Sequence, residues 1–163
     1  MKTHFLFPNK YQKIGWILLL PSIVLIIIIS ALGTNIDDYL DNFFNVTTVA
    51  LYQESIGQKS SFFCLVKNSV LDEILTISSI VGGILVGFSK LKNEDEYISK
   101  IRYESLVWAT YLNYGLIVFF TIFIFGMPYL NVLFYNMFTL ILFFIIRFHF
   151  MIYKLNKSIS DDE

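Results

Sequence analysis

The sequence predicts an all-α membrane protein: a four-transmembrane-helix bundle with a small extracytoplasmic loop able to form a β-hairpin. Three observations carry that fold class. The 163-residue chain is 56% hydrophobic and 18% aromatic but only 15% charged, against about a quarter charged in soluble domains. Its apolar residues are gathered in four long blocks instead of the one-faced patterns of a soluble core. Its lysines and arginines fall almost entirely on one side of the threading those blocks imply. Composition therefore excludes a disordered chain. One cysteine (Cys64) and a net charge of −1 exclude a disulfide-built secreted module and a basic nucleic-acid binder.

The first span is Ile14–Leu32, nineteen residues without a charge, thirteen of them Ile, Leu or Val. Such a segment is about 28 Å long as a helix, close to the ~30 Å hydrocarbon core. It follows a short basic segment (1–13), but it exceeds a typical signal-peptide core and lacks a small-x-small cleavage site, so a retained span is expected. Pro21 is tolerated in a membrane helix. The second span (70–89) is the weakest, with a charge-free stretch of only fifteen residues, Ile74–Phe88. Ser69-Val70-Leu71-Asp72 matches a capping box at its start, and Lys90 and Lys92 can snorkel at its end. The third span, Leu106–Phe125 (106–125), ends at Gly126-Met127-Pro128, a strong stop. A short turn (126–129) leads into the fourth span (130–149), which is charge-free until Arg147. The last two spans must therefore form an antiparallel pair.

Ten Lys and Arg flank one side (three in the amino-terminal segment, four in the loop and stalk 90–105, and Arg147, Lys154 and Lys157 on the side of the tail, 150–163), against Lys59 and Lys67 on the other. The positive-inside rule then places both termini in the cytoplasm. The external loop (33–69) opens with Asp37, Asp38 and Asp41, read as a solvated acidic stretch rather than a cation site. Two β-prone runs follow, Asn45–Tyr52 and Ser61–Lys67, around a turn at Ile56–Ser60; Asn45-Val46-Thr47 matches a glycosylation sequon. On the inner side Asn93 reads as an N-cap before an acidic first turn. The third helix is thus expected to begin in the cytoplasm as a stalk of about 18 Å, with Ile98, Ile101 and Ser105 on one face.

Few side chains are candidates for function. Ser79, Gly83 and Gly87 form a small-xxx-small stripe that admits close approach of another helix, within the bundle or from a second copy. Asn113 and Asn136 are the most embedded strong polar groups. With each span centred separately they lie about 4 Å to the inner side and about 5 Å to the outer side of the midplane, too far apart for a direct bond. Each is expected to bond a neighbouring helix instead, or to line a path for a small substrate. Arg147 either snorkels, pairs with Glu104 or stacks on Trp108. No catalytic residue emerges: His4 and His149 lack partners at metal-ligand spacing, and no nucleophile elbow, zinc-protease or P-loop motif occurs. No cofactor or metal is expected.

Two segments, Glu94–Tyr114 (EDEYISKIRYESLVWATYLNY) and Asn131–Phe148 (NVLFYNMFTLILFFIIRF), resemble a group of small four-span inner-membrane proteins of Bacteroidetes-type bacteria. The resemblance covers the last two spans well and the first loosely. It implies location and architecture, and no catalytic residues. The function expected is non-enzymatic, through contacts with the lipid bilayer and with a protein partner or a second copy, as a scaffold or regulatory subunit. The alternative is a small transporter or pore formed by oligomerisation, lined by Asn113, Asn136, Tyr111, Tyr114 and Tyr135.

Overall fold

The computed structural model describes residues 5–32, 44–53, 61–92 and 94–161. The described elements are, in order, α1 (Lys10–Leu32), β1 (Asn45–Gln53), β2 (Ser61–Ser69), α2 (Leu71–Gly87), α3 (Glu96–Phe123) and α4 (Met127–Asp161). The protein is mostly helical, with one small hairpin. By length and composition α1, α3 and α4 can each cross a membrane. Where the sequence predicts four spans, three such helices are described: α2, at 17 residues, is too short to stand with them. β2 takes Ser69 at its start, and Phe88–Lys90 turn away to bond Phe7 at its end. Several expectations lie outside the described residues: Lys2, His4, Asp37, Asp38, Asp41, the Ile56–Ser60 turn, Asn93 and the last two residues.

The chain divides into two compact units, 1–20 with 79–163, and 21–78. The second contains the hairpin. β1 and β2 pair antiparallel, Asn45 opposite Ser69 and Gln53 opposite Ser61, as alternating β-branched and aromatic residues favour. Thr48, Ala50, Cys64 and Val66 lie on one face and are half-buried. On the other, Val49, Leu51, Phe63 and Leu65 are 65–75% exposed. Phe63 has φ +54°, a left-handed conformation that costs a non-glycine residue about 1–2 kcal/mol. The expected capping box is not formed. Ser69 is the last residue of β2, and its buried hydroxyl makes no hydrogen bond.

In the first unit, close helix contacts rest on glycines. A Cβ on Gly82 would lie 2.7 Å from the Leu19 backbone nitrogen, and one on Gly15 would lie 2.8 Å from that of Val86. These two positions let the α1 and α2 backbones meet directly. The stripe expected on α2 meets α4: a Cβ on Gly83 would lie 2.9 Å from Ile141, and one on Gly87 would lie 2.6 Å from Phe144. Ser79 is 1% exposed. The adjacent Gly82 and Gly83 thus serve two different partner helices. Around these contacts pack Leu19, Val86, Ile98, Ile101, Ala109, Phe138, Phe144, Ile145 and Phe148, all buried.

α3 runs without interruption from the stalk into the third apolar block, about 42 Å in its 28 residues. Its N-cap is Asp95, not Asn93. The Asp95 carboxylate accepts from the Ile98 backbone N–H at 2.7 Å, three residues on, as the first turn requires. α3 and α4 are joined by Ile124–Gly126, with Gly126 at φ +76°, where glycine avoids the Cβ penalty. Pro128, second in α4, lacks only an N–H that has no helical partner there. Near this turn the hydroxyls of Thr121 and Tyr129 are 2.8 Å apart.

Candidate functional sites

The most embedded polar side chains come together between α3 and α4. The Asn136 amide donates to Asn113 Oδ1 at 3.2 Å, and the Thr139 hydroxyl donates to the same oxygen at 2.6 Å. Asn136 Nδ2 also lies 3.3 Å from Thr139 Oγ1. The expectation that the two asparagines are too far apart is therefore corrected. Helices joined by a short turn share one depth scale, counted from that turn, not from each span's own centre. Asn113 lies about 18 Å before Phe125 and Asn136 about 17 Å after it, so they are level. Thr139 was not anticipated, although its i, i+3 spacing from Asn136 places the two on one face. Asn113 is 3% exposed, and the triad supplies hydrogen bonds that lipid cannot.

Beside the triad lies a groove of about 210 Å³ lined by Leu116, Phe120, Val132, Tyr135, Asn136 and Thr139. Its walls are mostly apolar, and its polar groups are the Asn136 and Thr139 side chains of the triad and the Tyr135 phenol. Tyr111 and Tyr114, expected to line a path with the asparagines, are 75% and 61% exposed and are not part of it.

Towards the other end of the pair, Arg147 lies over the Trp108 ring, 4.7 Å from its centroid. Of the three arrangements expected for Arg147, the structure shows this one. The Glu104 carboxylate lies 3.9 Å from Lys100, one turn back, with both side chains mostly exposed. His149 bonds the Ile145 carbonyl through Nδ1 at 3.0 Å and meets Trp16 edge-on at 5.4 Å.

A second constellation had no sequence prediction. Arg102, 7% exposed, forks onto Glu94 with Nη1–Oε1 at 2.6 Å and Nη2–Oε2 at 3.1 Å. Nη2 also donates to the Ser89 carbonyl at 3.2 Å. Glu94 Oε2 accepts from the Leu91 N–H at 2.9 Å, and the guanidinium lies 4.9 Å from the centroid of Phe148. The amino-terminal segment closes over the same place. Phe7 N–H donates to the Phe88 carbonyl at 3.0 Å, Lys90 N–H to the Phe7 carbonyl at 2.8 Å, and Asn9 Nδ2 to the Lys90 carbonyl at 2.8 Å. The Ser89 hydroxyl donates back to Leu85. The Leu85 carbonyl at the end of α2 and the Phe88, Ser89 and Lys90 carbonyls just beyond it are thus taken up by three segments: Ser89 itself, residues 7–9 and α3. In this clasp Arg102 ties α3 to Ser89, to Glu94 and, over Phe148, to α4, while Phe7 and Asn9 tie the amino-terminal segment to Phe88 and Lys90. The sequence carried one signal for it: Arg102 directly follows Ile101 and lies one turn after Ile98, so it falls on the buried side of the stalk.

Among the described residues no three His, Cys, Asp or Glu side chains are grouped to hold a metal ion. No protein-family model, no curated protein and no solved structure matches this chain.

Proposed function

We propose that the chain is a four-span, multi-pass protein of the inner (cytoplasmic) membrane with both termini in the cytoplasm. It works without catalysis, through protein contacts, as a scaffold or regulatory subunit. Support for α2 as a fourth span comes from parity. α1 leads away from the Pro8–Asn9 end, yet the residues that follow α2 bond back to Phe7 and Asn9. The antiparallel approach of α1 and α2, Gly15 at Val86 and Gly82 at Leu19, supports a return crossing in α2. The aromatic contacts of Arg102 with Phe148 and of Trp16 with His149 bring the tail side of α4 to the same end. That end carries the excess of lysine and arginine, which favours the cytoplasmic side.

The observation that carries the contact role is the clasp. α4 is 35 residues long, about 52 Å, some 22 Å more than a hydrocarbon core of about 30 Å requires. The first ten residues of α3 run beside that excess, and the buried Arg102–Glu94 pair fixes them to the neighbouring turn. The result is a stiff projection whose Tyr97, Tyr103 and Tyr153 are 54%, 69% and 67% exposed. A pore or transporter formed by oligomerisation has less support, because Asn113 and Asn136 direct polar atoms at each other and at Thr139.

The test is site-specific photocrosslinking in native membranes from Tyr97 and Tyr103, with Tyr111 as a lipid-facing control. The reading expects discrete protein adducts from the first two positions and their loss in Arg102→Ala that still inserts. Adducts to lipid alone from all three positions overturn it.

A further inference from the structure

We propose that the groove between α3 and α4 is a binding site for a lipid-soluble alcohol or phenol: an apolar ring or short chain whose single hydroxyl donates to Asn136. The argument starts from the inventory of the triad. In the structure Asn113 Oδ1 lies 2.6 Å from the Thr139 hydroxyl and 3.2 Å from Asn136 Nδ2, and the Thr139 hydroxyl also lies 3.1 Å from the Asn136 backbone carbonyl. The Asn136 amide protons face Asn113 Oδ1 and Thr139 Oγ1. With Nδ2 so placed, the side-chain oxygen of Asn136, Oδ1, is turned away from both partners and is left as an acceptor, whereas its backbone carbonyl is within reach of the Thr139 hydroxyl. An amide oxygen at this depth meets hydrocarbon instead of water, so it is complementary to a donor that arrives with apolar surface around it.

Size and walls narrow the chemistry. A dry apolar cavity of ~150 Å³ accommodates benzene; the groove, at about 210 Å³, has room for a substituted ring or a chain of similar bulk. Phe120 and Tyr135 supply aromatic faces, while Leu116 and Val132 supply aliphatic ones. No charged residue lines the groove, which disfavours an anion or an ammonium group. Ordinary phospholipids keep their polar groups at the interface, about 15 Å from the midplane, and have no donor to offer here. A hydroxyl carried on an otherwise apolar molecule meets both requirements. This site is independent of the clasp and of the contact role proposed above.

The test uses the full chain in nanodiscs and two photoreactive probes, a trifluoromethyl-diazirinyl benzyl alcohol and its toluene counterpart, which differ only in the hydroxyl. Labelled positions are mapped by mass spectrometry. The expected result is labelling within 116–139 several-fold higher for the alcohol than for the toluene analogue. Asn136→Leu removes the acceptor and should bring the two probes to equality. Val132→Trp fills the groove without altering the triad and should suppress the alcohol's excess, which keeps the test decisive if Asn136→Leu fails to insert. Equal labelling of wild-type protein by the two probes overturns the proposal, as does an excess that survives Val132→Trp.

Discussion

The backbone contact between α1 and α2 makes a graded prediction for four single-methyl additions. At Gly82 and Gly15 the new Cβ would meet backbone atoms at 2.7–2.9 Å, including Leu19 N and Val86 N. Backbone inside a helix cannot rotate away, so relief requires the two helices to separate by somewhat less than 1 Å. A gap of 0.5–1 Å forfeits roughly a quarter to a half of each dispersion well of about 0.1–0.2 kcal/mol, and a buried Leu makes some 40–60 such contacts. Leu19 and Val86, 2% and 0% exposed, sit beside the contact. Losing a quarter of their packing costs about 1–3 kcal/mol each at most, offset by up to about 1 kcal/mol of alanine helix propensity. A net loss of about 2–3 kcal/mol is expected for Gly82→Ala, with Gly15→Ala close to it.

At Gly87 and Gly83 the obstructing atoms belong to side chains, Phe144 at 2.6 Å and Ile141 at 2.9 Å. Ile141 meets the glycine with its terminal Cδ1 at 2.9 Å and with Cγ1 and Cγ2 at 3.2 and 3.3 Å, so a side chain rather than backbone must give way and Gly83→Ala should cost about 1 kcal/mol. Phe144, wedged against Phe88 and Phe148 at 5.2 and 6.0 Å, has less freedom, and Gly87→Ala should cost about 1–2 kcal/mol. Gly115 has nothing within 4 Å and provides a neutral control. The assay is reversible unfolding in mixed micelles of rising sodium dodecyl sulfate fraction, followed by circular dichroism and tryptophan fluorescence. If Gly82→Ala is as stable as wild type, or less damaging than Gly83→Ala, the reasoning from backbone proximity is refuted.

Arg102→Leu leaves Glu94 without its fork and should cost about 3–5 kcal/mol, whereas Glu94→Gln/Arg102→Leu together should cost less than the sum of the single changes; a double-mutant cycle checks this. Amide exchange at Leu91 should accelerate in Glu94→Gln, because its N–H now donates to that carboxylate. In the triad, Asn113→Leu and Thr139→Val should couple by about 0.6–1.7 kcal/mol, the range of interhelical hydrogen bonds in membranes, and additive effects would contradict the 2.6 Å bond. Phe63→Gly should raise protection of the β1 amides by relieving the backbone at φ +54°; reduced protection would argue against strain there.

The membrane class, the helices and the hairpin were legible because burial in lipid and pleating write strong periodicities into sequence. The α3–α4 pairing was legible too, from the turn at Gly126. The site was less so. Asn113 and Asn136 stood out as polar residues in apolar blocks, but their contact depended on depth, and depth is inherited from the turn. Thr139 looked unremarkable because threonine can bond its own helix, as Thr110 and Thr121 do here at 2.9 and 2.8 Å. Arg102 was hidden for a different reason. It counts as one of several cations near a membrane edge, and nothing local distinguishes a cation in water from one folded onto Glu94 eight positions away.

The weakness of α2 as a hydrophobic segment has a structural cause. Insertion selects for apolar surface that faces lipid, and a helix with protein on two sides presents less of it. In the first unit α2 meets α1 through Gly82 and Val86 and meets α4 through Gly83 and Gly87. Glycine and serine at those contacts lower its hydropathy, yet they permit the close approach that packing in lipid depends on. The same small residues that lower the hydropathy of α2 therefore support its packing against both α1 and α4. Replacing Gly82 and Gly83 together by leucine should make the segment insert more readily on its own and the folded chain less stable. A glycosylation-reporter measurement of insertion, set beside unfolding in mixed micelles, separates these two effects. Parallel changes in both would show that lipid exposure, not helix contact, governs α2.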